Sequence, residues 1–94
     1  MASIQWLPDA RDDLARLYAF ILPHSSEAAQ RAIETILKAV DSLVQFPQSG
    51  RPWEPDIKFR EKPVQFGAKA YVIRYRLFED KIIIVRVWHG LEDR

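Results

Sequence analysis

The chain has no cysteine, and its histidines number two, His24 and His89. Without thiols there is neither a disulfide framework nor a thiolate metal site, which fits a reducing compartment. Two histidines are too few for a zinc cluster, so no metal and no cofactor is expected. No Gly-rich phosphate loop, carboxylate dyad or nucleophile motif is present. No apolar run approaches the roughly 20 residues needed to span a bilayer, and the start, MASIQWLPDARDD, lacks the basic-then-apolar run of a signal peptide. These absences lead to the expectation of a cytoplasmic protein with no membrane role.

A strong charge of either sign is also missing. The 14 Lys and Arg stand against 13 Asp and Glu, far from the basic excess of a strong nucleic-acid binder, so direct nucleic-acid binding is not expected. The distribution is less even: residues 1–50 hold four basic and six acidic side chains, a net of −2, and residues 51–94 hold ten and seven, a net of +3. An anionic partner would meet the second half.

What is present is an apolar patterning that fits one domain over residues 1–94, with 48% hydrophobic and 29% charged residues. SIQWL reads as a short strand, stopped by Pro8, a residue suited to the first position of a helix. From Pro8 to about Leu22, the residues Ala10, Leu14, Leu17, Tyr18 and Ile21 recur at three-and-four spacing, the apolar stripe of an amphipathic helix that Pro23 ends. Ser25 or Ser26 caps a second helix whose stripe runs through Ala29, Ala32, Ile33, Ile36, Leu37, Val40, Leu43 and Val44. The connection is short, so the two helices form an antiparallel hairpin. QSGRPWEPDIK reads as an ordered loop, followed by three strands, FREKPVQF, KAYVIRYRLF and KIIIVRVWH. The fold class is α+β, in the order β-α-α-β-β-β: an N-terminal strand, then a helical hairpin packed on one face of a mainly antiparallel sheet.

A turn at Glu79 and Asp80 pairs residues whose numbers sum to 159. One face then carries Tyr71, Ile73, Tyr75 and Leu77 with Ile82, Ile84, Arg86 and Trp88, and is assigned to the helices. The other carries Val72, Arg74, Arg76, Ile83, Val85, Val87 and His89 and stays open, either as a partner site or beneath the RPWEPDIK loop. Arg86 on the covered face needs a partner, and Asp13, a charge on the inward stripe of the first helix, is the candidate for a structural ion pair.

The order and spacing of DARDDLARLYAFI, FPQSGRP, REKPV, YVIRYRL and IIIVRVWHG resemble the RelE/ParE superfamily of toxins from type II toxin-antitoxin pairs, over nearly the whole chain. The resemblance implies a bacterial growth inhibitor neutralised by a cognate antitoxin, ParD-like for ParE-like members, that wraps a segment over the toxin. It makes Val72, Arg74, Arg76, Ile83, Val85 and Val87 the candidate antitoxin surface. RelE-like members are ribosome-dependent mRNA endonucleases, whereas ParE-like members inhibit DNA gyrase without a hydrolytic site. The nucleases typically carry arginine after the tyrosine that opens the penultimate strand, where this chain has Val72. They also tend to carry a basic residue or a His-Tyr pair near the C-terminus, whereas here Gly90 follows His89 and no tyrosine lies downstream. The resemblance is therefore closer to ParE-like members, with gyrase as the expected target, no catalytic residues, and His89 and Arg94 as target-binding candidates. The alternatives are a RelE-like nuclease using His89 and Arg74, or a non-toxic interaction module with the same core.

Overall fold

The computed structural model describes residues 2–92. Strand β1 (Ser3–Trp6) leads into helix α1 (Pro8–Ile21), which is joined by a short turn to α2 (Ser26–Ser42). The chain then forms β2 (Arg51–Pro52), β3 (Phe59–Phe66), β4 (Lys69–Phe78) and β5 (Lys81–His89). The five strands make one sheet in the order β1-β5-β4-β3-β2, in which β1 runs parallel to β5 and the other pairs are antiparallel. Arg51 and Pro52 of the QSGRPWEPDIK segment, expected as loop, thus form a short strand.

Local chemistry fixes the helix ends. Pro8 occupies the first turn of α1, where a missing N–H costs nothing, and Asp9 sits at the positive end of the helix dipole. Ser25 caps α2 by accepting the Ala28 N–H at 3.1 Å. Buried stripes of Ala10, Leu17 and Ile21 from α1 and Ala29, Ala32, Ile36 and Val40 from α2 pack onto Tyr71, Ile73, Tyr75, Ile82, Ile84 and Val87 of the sheet. Small residues at Ala10, Ala29 and Ala32, all fully buried, let the two helices approach each other and the strands closely. Among the described residues no helix is long and apolar enough to cross a membrane.

The loop after α2 is pinned from within. The fully buried Tyr75 donates its hydroxyl proton to the Pro47 carbonyl at 2.8 Å and accepts the Gly50 N–H at 2.9 Å. Arg60 donates to the Gly50 carbonyl at 2.8 Å, so both backbone groups of Gly50 are satisfied by side chains. A Cβ at Gly50 would lie 2.7 Å from the Tyr75 ring, which is why this position carries none. Burial raises the Tyr75 phenol above its ordinary range, so the hydroxyl stays protonated as a donor.

Candidate functional site

The register of the last hairpin decides which side chains share a surface. Near the turn the pairs are Phe78 with Lys81, Leu77 with Ile82, Arg76 with Ile83 and Tyr75 with Ile84, each summing to 159. The next pairs are Arg74 with Arg86, Ile73 with Val87, Val72 with Trp88 and Tyr71 with His89. Val85 is the extra residue of a β-bulge, and every side chain beyond it changes face relative to an unbroken ladder.

This corrects four assignments made from alternation alone. Val87 is fully buried under the helices and drops out of the open surface. His89 lies on the side of Tyr71, with the two rings edge to face at 5.5 Å between centroids. Arg86 and Trp88 move to the opposite face, in line with Arg74.

The structure nevertheless brings Asp13 and Arg86 together, because β1 ends before the bulge. Leu7 donates its N–H to Ile84 O, and the chain then turns into α1, leaving the β5 backbone beyond Ile84 without a neighbouring strand on that side. Asp13 takes that place. Its Oδ2 accepts the Val87 N–H at 2.8 Å and Arg86 Nε at 2.8 Å, while Oδ1 accepts from Arg86 Nη2 at 3.1 Å. Arg16, one turn on, donates to the Val87 carbonyl and to Asp13 Oδ1, each at 3.3 Å. Burial works to raise the Asp13 pKa, but hydrogen bonds from Arg86, Val87 and Arg16 outweigh it, and the carboxyl is held below its ordinary value.

On the open face, Trp53 of the proline-rich loop folds over the sheet. The Arg74 guanidinium lies 3.8 Å from the Trp53 ring centroid and 4.7 Å from that of Trp88, and Arg86 sits 5.2 Å from Trp88 on the other side. Two hydrogen bonds from Arg74, at 3.1 and 2.8 Å, converge on Glu61 Oε2, across the β3–β4 ladder. The alternating series Trp53, Arg74, Trp88, Arg86 covers one end of this face, which is why Trp88 is buried although it points away from the helices. Val72, Arg76, Ile83 and Val85 remain half-buried on the rest of it.

At the C-terminal end of β5, His89 borders a hollow of about 450 Å³ with Arg16, Leu17, Phe20, Leu91 and Glu92. Phe20 is 66% and Leu91 91% exposed, an apolar pair in contact with water at its mouth. The turn is tied by Glu92, which accepts the His89 N–H at 2.8 Å and pairs with Arg16, while His89 Nδ1 accepts the Leu91 N–H at 3.1 Å. Arg94, the second target-binding candidate, lies outside the described residues.

Three residues that shape these surfaces were not singled out by sequence patterns: Glu61, Phe59 and Phe20. Glu61 and Phe59 acquire meaning through the β3–β4 register, which sets them beside Arg74 and Arg76; the signal for that register is Gly67, at φ 59° in the two-residue Gly67–Ala68 turn between Phe66 and Lys69. Phe20 was visible as a large apolar residue off the inward stripe of α1.

The comparisons agree with this architecture. A sequence model described as the ParE toxin of the type II toxin-antitoxin system, parDE, matches residues 4–94. "Toxin RelE3" of Caulobacter vibrioides is 39% identical over 94 residues, covering 100% of both chains. "Toxin RelE1" of the same organism is 40% identical over 85 residues, covering 90% of this chain and 89% of its own. A solved structure described as a chromosomal ParDE TA system from P. aeruginosa superposes with a TM-score of 0.76 at 25% identity, covering 95% of this chain and 96% of that one. The two-helix layer on a five-stranded sheet and these likenesses lead to one conclusion: the chain belongs to the ParE toxin family of type II toxin-antitoxin systems.

Proposed function

We propose that this toxin acts on DNA gyrase without hydrolytic chemistry and is held inactive by a cognate ParD-like antitoxin. The observation that carries the target reading is the separation of His89 from Arg74. In-line RNA cleavage needs a base, an acid and cations gathered about one phosphate. Here the imidazole stands on the Tyr71 side of the sheet, and the guanidinium on the other side is held by Glu61 between two indoles. The hollow beside His89, with Phe20 and Leu91 at its mouth, suits an apolar protein contact better than a polyanion. With gyrase as target, the toxin works in the cytoplasm.

The antitoxin reading rests on the part of the open face that the Trp53 loop leaves uncovered, Val72, Arg76, Ile83 and Val85. A second reading, ribosome-dependent mRNA cleavage, is favoured by the RelE names of the Caulobacter relatives. Purified toxin assayed side by side in gyrase supercoiling and in ribosome-programmed mRNA cleavage separates the two. Loss of supercoiling that Phe20→Ser and Leu91→Ser restore is the expected result; cleaved message with intact supercoiling would refute it.

A further inference from the structure

Two arginines stand two residues apart on β4, on the same face, and both rest on aromatic rings. Arg74 lies between Trp53 and Trp88 and has its carboxylate, Glu61. Arg76 lies 5.1 Å from the Phe78 ring centroid and 5.9 Å from that of Phe59, and its buried Nε has no hydrogen-bond partner among the described residues. A guanidinium presents five donors in a planar fork, and a desolvated donor without an acceptor is costly. Among the described residues, the Arg76 site thus has the aromatic frame of its neighbour without an anion.

We infer that Arg76 is the receptor for a carboxylate on an extended segment of the antitoxin, an inference that rests on the antitoxin reading above. The row across the sheet is Phe59 on β3, Arg76 on β4 and Ile83 on β5, with Gln5 of β1 opposite Ile83. An acidic side chain laid on this row places its apolar neighbours against Phe78 on one side and Ile83 and Val85 on the other. The frame favours a carboxylate over a nucleic-acid phosphate. Its immediate walls are phenyl rings and an aliphatic side chain, and the nearest guanidinium along the strand, Arg74, is already matched by Glu61. The segment recognised is therefore short, with Asp or Glu between apolar residues.

The probe is the product of the reading frame next to the toxin's gene, used whole and tiled as 15-residue peptides, titrated by calorimetry against full-length toxin and its Arg76→Gln variant. One tile is expected to weaken by about 10- to 100-fold on Arg76→Gln, the range of a hydrogen-bonded charge contact. The same tile with its acid changed to the amide should weaken equally, and the two changes together should be no worse than either. Free Arg76→Gln should melt no lower than wild type, because an unpartnered cation has been removed from an apolar frame. Equal binding of all tiles by wild type and variant, with the complex intact, would overturn the inference and leave the antitoxin reading standing. Failure of the whole product to bind would overturn both. A single-stranded oligonucleotide whose binding alone depends on Arg76 would assign the site to phosphate and overturn it as well.

Discussion

Replacing Asp13 by alanine removes four hydrogen bonds at once, from the Val87 N–H, from Arg86 Nε and Nη2, and from Arg16. The Val87 amide is buried and points away from β4 to a side where, among the described residues, no strand lies, so losing its acceptor costs about 1–3 kcal/mol. Arg86 keeps 37% of its side-chain surface in water and rehydrates, so its share is smaller, about 1 kcal/mol. Arg16 is 43% exposed and retains Glu92, adding little. The expected loss is therefore about 3 kcal/mol, which in a domain of this length lowers Tm by about 12–24 °C. Arg86→Ala leaves the Val87 and Arg16 bonds to a carboxylate that is only 4% exposed, so about 2 kcal/mol is expected, below the roughly 3–5 kcal/mol of a fully stranded buried charge. The double variant should lose little more than Asp13→Ala, about 3 kcal/mol, because the groups act as a unit. Urea unfolding of the four proteins of this cycle measures each value. Additive losses, near 5 kcal/mol in the double variant, would refute the coupling, and a larger loss for Arg86→Ala than for Asp13→Ala would refute the role of Val87.

The same carboxylate sets an acid dependence. Its folded pKa lies below the unfolded value of about 3.9, so its stabilisation is fully present above that pH and is lost as pH falls through the lower folded value. The Tm difference between wild type and Asp13→Asn should hold from pH 7 to about 5 and shrink below about pH 4; a constant gap down to pH 2 would contradict it. Tyr75→Phe should cost about 1–3 kcal/mol by orphaning the Gly50 N–H and the Pro47 carbonyl, read by thermal melting. Gly50→Ala should destabilise as well, because its Cβ would press on the Tyr75 ring, and a melting point equal to wild type would contradict that packing. Trp53→Ala should speed amide exchange along β4 around Arg74 at a stability cost of about 1 kcal/mol, since one side of the stacked guanidinium is uncovered.

The helical hairpin was legible because its apolar residues repeat at three-and-four spacing and its ends carry Pro8, Pro23 and Ser25. The hairpin turn at Glu79 and Asp80 was legible too, and Glu79 adopts the left-handed conformation, φ 55°, although it is not glycine. Register could be followed from that turn as far as Ile84 and no further. IIIVRVWH is apolar on both faces, so inserting one residue at Val85 leaves the pattern as plausible as before, and no glycine marks the bulge. Arg86 held the clue. A cation on a covered strand face can be paired, as Asp13 suggested, or it can show that the ladder has slipped; here both hold, because Arg86 leaves the covered face and reaches Asp13 around the sheet edge. Strand β2, two residues long, leaves no periodic signal at all.

The side chains of Asp13, Arg16 and Glu92 on the β5 edge have a consequence for assembly. Beyond Ile84, the Val87 N–H, the Val87 carbonyl and the His89 N–H are each already bonded to one of these three. Asp13 and Glu92 supply the acceptors and Arg16 the donor that a neighbouring strand would otherwise bring, so these groups offer no template for a second chain. Strand-by-strand association is thereby steered to the outer side of β1 and to the stretch of β3 beyond its two pairs with β2. A toxin that exposes unpaired backbone at the end of its longest ladder would risk pairing with copies of itself. This one closes that route with two residues of α1 and one residue of its tail.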